Sequence, residues 1–270
     1  MNKKTIIILI VLVILGGAAF GGYKYYRYYM KEHQPNNNLP DLEDEVIPTP
    51  KTPSPIIKKK TEEELAKGKE PEFKDVKADA SSLYPTLSGK HEPIWDEYES
   101  FPIDILASGR TELNASYKLI WAKKFLYIQV TVMDNTRDTS GEKYSSQDSV
   151  EFFVNEDGKK NATLHVGDAH YIVNRDNVRS IGFGADEKFE SVTYELESEP
   201  DADGNKVSTG YVVEAIIPLM TVKASKNNSI GFDIQVNNAY DGKLISVYKW
   251  ASNYLYTFQN FSAVGTLVFK

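Results

Sequence analysis

Cysteine is absent from the 270-residue chain. That absence removes disulfide frameworks, thiolate zinc sites, iron–sulfur clusters, cysteine nucleophiles and an acylated lipoprotein cysteine together. A metal ion would have to bind oxygen or one of four histidines. Basic charge is also scarce beyond the first 33 residues. Within them Lys3, Lys4, Lys24, Arg27 and Lys31 stand against Glu32 and leave +4, whereas the remaining 26 basic and 37 acidic residues leave −11. An acidic body lacks the basic footprint that phosphate recognition needs, which argues against nucleic acid as a partner. The G-x-S-x-G, H-E-x-x-H and glycine-rich phosphate-loop patterns are missing, as are internal repeats and any long segment of helical period.

What is present divides the chain in three. Thr5 to Gly22 is an uncharged apolar run, preceded by Lys3 and Lys4 and followed by the aromatic-basic stretch Tyr23 to Tyr29. Its length approaches a membrane span, and tyrosines mixed with cations suit a membrane–water interface. Residues 1–33 therefore read as a single-pass signal anchor with a helix at about 5–22, leaving the rest of the chain extracytoplasmic. A cleaved signal peptide satisfies the same charge and apolar pattern, but the aromatic belt would serve no purpose in a discarded segment. Residues 34–75 form a linker, with six of the twelve prolines between Gln34 and Lys60. Prolines 48, 50, 53 and 55 favour an extended polyproline II spacer. Residues 76–270 form the head.

The head reads as an all-β, jelly-roll-like antiparallel sandwich. Segments such as Phe125 to Met133, Asp148 to Asn155, Gly210 to Ile217, Ser229 to Asn237 and Ala263 to Lys270 alternate in polarity and are rich in Val, Ile, Phe and Tyr. Glu156-Asp157-Gly158, Asp203-Gly204-Asn205 and Asp241-Gly242 supply turns between strands. Because successive side chains of a strand point to opposite faces, Val150, Phe152 and Val154 share one face and Glu151, Phe153 and Asn155 the other. In the same way Ile230, Phe232, Ile234 and Val236 oppose Gly231, Asp233, Gln235 and Asn237. A carboxylate, amides and rings on one sheet face suit the hydroxyls and C–H surfaces of sugars. Ordinary outer-face residues are the competing explanation.

Trp250, Tyr254, Tyr256, Phe258 and Phe261 crowd a twelve-residue stretch that also holds Asn253, Gln259 and Asn260. At least two of these rings are expected in the core and one or two free for a ligand. Asp148 and Glu151 fall on opposite faces of a strand, so they cannot flank one glycosidic bond, and no enzymatic activity is expected. His165, Asp168 and His170 lie close in sequence but need not converge on a metal.

In their order and spacing, LSGKHEPIWDEY from Leu87, LIWAKKFLYIQVTVMD ending at Asp134, QDSVEFFVNEDG from Gln147, DAHYIVN from Asp168, GYVVEAIIP from Gly210, IGFDIQVNNA from Ile230 and VGTLVF from Val264 resemble carbohydrate-binding module family 9. The resemblance implies a β-sandwich that holds a sugar end between two rings, with a carboxylate, an arginine and amides on its hydroxyls. It carries the carboxylate to Glu151 and amides to Asn174 and Gln235. A glutamine of the family falls at His170, the arginine at Ile172, one clamp ring at Ser145 beside Tyr144, and the second ring at Phe258. It also implies structural calcium, for which Met133 to Asp138, with Asp134, offers hard oxygen donors.

The expectation is a membrane-anchored, extracytoplasmic protein that binds mono-, oligo- or polysaccharide ends without cleaving them. Glu151, Asn174, Gln235 and His170 would contact hydroxyls, Phe258 and Tyr144 would stack, and Asp134 would serve a calcium ion. The alternative is an envelope interaction or structural domain that kept the sandwich and lost the sugar, for which Ile172 is the main support.

Overall fold

The computed structural model describes residues 75–80, 84–109, 112–184, 188–200, 204–222 and 225–270. The anchor at 5–22 and all of the 34–75 linker except Asp75 lie outside these residues.

Among the described residues thirteen strands run in chain order: β1 (Asp75–Ala80), β2 (Phe101–Ile103), β3 (Ile105–Gly109), β4 (Asn114–Ala122), β5 (Phe125–Met133), β6 (Ser149–Asn155), β7 (Asp168–Asn174), β8 (Arg179–Ile181), β9 (Glu190–Glu197), β10 (Ser208–Pro218), β11 (Ser229–Tyr240), β12 (Lys243–Lys249) and β13 (Gly265–Phe269). Two short 3-10 turns, Pro93–Glu97 and Tyr144–Ser146, interrupt them. The first sheet carries the order β8-β7-β6-β11. The far edge of β11 is shared, its start pairing with β13 and its end with β12, which in turn pairs with β3. The second sheet runs β9-β10-β5-β4, with β2 added to the edge of β4.

Period-two alternation sets the register. Val150, Phe152 and Val154 of β6, Tyr171 and Val173 of β7, and Ile230, Phe232, Ile234 and Val236 of β11 meet Tyr117 and Leu119 of β4, Leu126, Ile128, Val130 and Val132 of β5, and Tyr211, Val213 and Ile217 of β10 in one buried core. Burying a side chain of this size contributes about 1.5–3 kcal/mol, so slipping any central strand by one residue would forfeit several such contributions at once. The β11–β12 hairpin turns on Asp241 and Gly242, at φ 53° and 68°. Two consecutive positive φ values belong to the type I′ turn, whose twist matches that of the strands it joins.

One strand departs from the antiparallel expectation. β1 lies parallel to β13 through Asp75 to Ala78 and parallel to β4 through Asp79 and Ala80, so it passes from one sheet to the other. Alternation within β1 carries no information about this, because parallel pairing depends on which distant strand edge is open.

Candidate functional site

The outward face of the first sheet carries a buried polar network. Register places Glu151 of β6 between Gln235 of β11 and Ile172 of β7, and Phe153 between Asp233 and His170. One Glu151 carboxylate oxygen, Oε2, lies 2.6 Å from His170 Nε2. The other, Oε1, accepts from Asn237 Nδ2 at 2.7 Å and from Gln235 Nε2 at 3.2 Å. Asn237 also donates to Ser149 Oγ at 3.0 Å, and its own oxygen accepts from Gln235 at 2.9 Å. Glu151 and His170 are each 3% exposed and Gln235 is 8% exposed. Burial opposes ionisation of Glu151, but hydrogen bonding and charge at His170, the Asn237 amide and the Lys249 charge outweigh it and hold the carboxyl below its ordinary value.

His170 is fixed on two sides. Its ring stacks on Phe153 with centroids 4.4 Å apart and planes 11° from parallel. Behind it runs Gly182, where an added Cβ would lie 2.6 Å from His170 Nδ1 and 2.9 Å from its Cβ. Glycine is required there by space and not by backbone conformation.

Beside this network the aromatic stretch after β12 folds back over the sheet. Trp250 enters the main core and Phe261 joins Phe153 and Val264 in a separate buried cluster, against which Phe258 packs. Tyr254, Tyr256 and Phe258 stay half-buried, with Tyr256 5.9 Å from Tyr254 and 6.2 Å from Phe258 between centroids. The segment is held from below by Lys249. This wholly buried ammonium lies 2.9 Å from Asp233 Oδ2, donates to the Tyr254 carbonyl at 2.9 Å and to Thr257 Oγ1, and sits 5.1 Å over the Phe153 ring. Asp233 Oδ1 accepts from the Ala251 N–H at 2.9 Å, so one ion pair ties Ala251, Tyr254 and Thr257 to β11.

The residues singled out from the sequence are thus divided. Glu151, His170 and Gln235 meet directly, and Phe258 flanks the same face. Asn174 shares that face, but its amide donates to Gln147 Oε1 at 2.8 Å, and its oxygen accepts from the N–H groups of Asp176 and Val178. It shapes the β7–β8 turn. Tyr144 opens the 144–146 turn, half-buried, its carbonyl accepting from Ser149 Oγ at 2.9 Å. Ile172 is buried. His165 and Asp168 engage Thr163, Asn155 and each other.

Asp134 stands apart from the network. Its carboxylate lies 3.4 Å from Arg175 Nη1 and its carbonyl accepts from Arg175 Nη2 at 3.2 Å. The expected calcium donors around it therefore face a guanidinium, and among the described residues no group of three or more histidine or carboxylate side chains is arranged to hold a metal. Asp148 also points to Arg175, at 3.3 Å, which separates it from Glu151 as strand parity requires.

Asn237, Lys249 and Arg175 are the functional or organising residues missing from the sequence-based set. Parity did place Asn237 beside Gln235, and weight on its second amide would have included it. Lys249 ends a strand and Arg175 lies in a turn, positions where exposed cations are common, so nothing local marks them as buried.

The family described as "Carbohydrate family 9 binding domain-like" matches residues 87–270. Endo-1,4-beta-xylanase C of Paenibacillus barcinonensis is 34% identical over 188 residues, which are 68% of this chain and 16% of that enzyme. Endo-1,4-beta-xylanase A of Thermoanaerobacterium saccharolyticum is 32% identical over 193 residues, 70% of this chain and again 16% of the enzyme. The match thus spans less than a fifth of these relatives. A carbohydrate binding module family 9 from Caldicellulosiruptor kristjanssonii, solved with cellotriose, superposes with a TM-score of 0.65 at 28% identity, covering 73% of this chain and 94% of that one. The same module solved with glucose gives the same score and identity over 96% of its length. The chain belongs to the carbohydrate family 9 binding domain-like family.

Proposed function

We propose that the head is a non-catalytic carbohydrate-binding domain that holds the end of a mono- or oligosaccharide, displayed outside a cell membrane by the 5–22 anchor and the 34–75 linker. The observation that carries this reading is the Glu151–His170–Gln235–Asn237 network lying beside a half-exposed aromatic segment in a family 9 domain. A sugar hydroxyl donating to Glu151 Oε1 would take the place of the Gln235 bond, the longest of the carboxylate's three contacts at 3.2 Å. The released amide can then serve a neighbouring hydroxyl as donor or acceptor. Phe258, Tyr256 or Tyr144 offers a flat surface for the sugar's C–H face.

Hydrolysis finds no support. A glycosidase needs two free carboxyl groups facing one bond, whereas Asp233 is engaged by Lys249 and Asp148 by Arg175. The xylanase relatives and the module solved with cellotriose make xylo- and cello-oligosaccharide ends the first ligands to try. Titration calorimetry of the full chain with glucose, cellotriose and xylotriose is expected to give saturable heats. Glu151→Ala should weaken binding roughly 10- to 100-fold, the loss of a hydrogen-bonded charge, with an unchanged circular dichroism spectrum. No binding to any neutral saccharide, by calorimetry or on a glycan array, would sink the proposal.

A second reading, a sandwich kept as an envelope interaction domain, is favoured by one observation. The network's groups are buried and engaged with one another. It predicts silent titrations for wild type and variant alike.

A further inference from the structure

Every hydrogen-bond partner of the Arg175 guanidinium is an oxygen. Its Nε donates to Glu195 Oε1 at 2.9 Å, and its Nη2 to Glu195 Oε2 at 2.8 Å, Ser208 Oγ at 2.9 Å and the Asp134 carbonyl at 3.2 Å. Its Nη1 faces the Thr136 carbonyl at 3.2 Å, Asp148 Oδ2 at 3.3 Å and Asp134 Oδ2 at 3.4 Å. The Tyr211 ring closes one side, 4.7 Å from the guanidinium carbon, and the arginine side chain has no solvent exposure. The donors come from both sheets: Asp134, Thr136, Glu195 and Ser208 from or beside β5, β9 and β10, and Asp148 and Arg175 itself from the ends of β6 and β7.

Three carboxylates, two carbonyls and a hydroxyl are the donor chemistry of a calcium site, which takes six to eight oxygens at about 2.3–2.6 Å. Here the same chemistry is wrapped around a planar fork of five N–H donors. The cage's three carboxylates face Arg175, and Glu195 also meets the half-exposed Arg137 at 3.5 Å.

We propose that Arg175 is an internal cation standing where a divalent ion would bridge the two sheets, so that this corner of the fold needs no calcium, and that removing the arginine turns the cage into a calcium site. The emptied position offers two triads of oxygen, one about each terminal nitrogen. Inward movement of about 1 Å would bring either triad to calcium distance. Arg175→Lys should behave differently, because an ammonium keeps a charge in the cage without spanning it.

The test is thermal unfolding of the full chain in EDTA and in millimolar CaCl2, with terbium luminescence sensitised by Tyr211 as a second readout. Wild type should show no cage-dependent calcium response. Arg175→Ala should unfold at a lower temperature in EDTA, recover at least half of the loss in CaCl2 and sensitise terbium, whereas Arg175→Lys should be destabilised without calcium rescue. The proposal fails if Arg175→Ala gains no more from calcium than wild type does, or if it folds in neither condition. It fails equally if wild type gains stability from calcium and Asp134→Asn abolishes that gain.

Discussion

Glu151 and His170 illustrate how much a single side chain depends on what surrounds it. The carboxylate stays ionised in a dry environment because an imidazole and two amides face it, and the imidazole stays in place because a ring lies on one side and a glycine on the other. Gly182 is therefore as much a part of the site as Glu151. Gly182→Ala should drive His170 out of its slot and free Glu151 Oε2. Overpacking of this kind costs about 1–3 kcal/mol. A lower unfolding midpoint in urea together with weakened saccharide binding is the expected result. An unchanged midpoint and affinity would mean that His170 is not confined as described.

At the scale of elements, the segment from Trp250 to Phe261 is a loop with an anchor beneath it. The buried Lys249–Asp233 pair holds the turn that presents Tyr254, Tyr256 and Phe258. Breaking a buried pair by removing one partner typically costs about 3–5 kcal/mol, since the other charge is left uncompensated. Lys249→Met should destabilise the domain by that order. Adding Asp233→Asn should restore part of the loss, a coupling that a double-mutant cycle by denaturant titration measures. Strand parity made most of this face legible: the period of two in β6 and β11 alone puts Glu151, Gln235 and Asn237 together. It could not reveal that Asn174 and Asp134 are engaged by a turn and an arginine, because those partners come from loops whose course no periodicity records. The parallel placement of β1 was hidden for the same reason.

Across the whole molecule, burial raises the carboxyl groups of Asp148, Asp168, Glu214 and Asp233. Hydrogen bonds, against some opposing burial, hold those of Glu92, Asp138, Glu151 and Glu195 low. A raised group carries its proton in the folded chain after the unfolded chain has released it, so its stabilisation fades as pH climbs from the ordinary carboxylate value through the folded one. The lowered groups act in the opposite sense, stabilising above the ordinary value and losing that contribution as pH falls through their folded values. Stability should therefore peak at mildly acidic pH and decline toward alkaline pH. Glu214 is a clean probe, fully buried on the outward face of the second sheet and bonded to Gln129 Nε2 at 2.9 Å. Glu214→Gln should raise the unfolding temperature at about pH 8 and change it little near pH 4. A gain that is the same at both would show that the charge is not the cause.

The crossing of β1 between the sheets also governs how the domain meets mechanical force. The chain before Asp75 enters the fold through a strand bonded in parallel to β13 and then to β4. Tension arriving along that strand loads both ladders in shear, many hydrogen bonds at once, and cannot peel them one by one. A load of this kind must break both ladders together before β1 is drawn out.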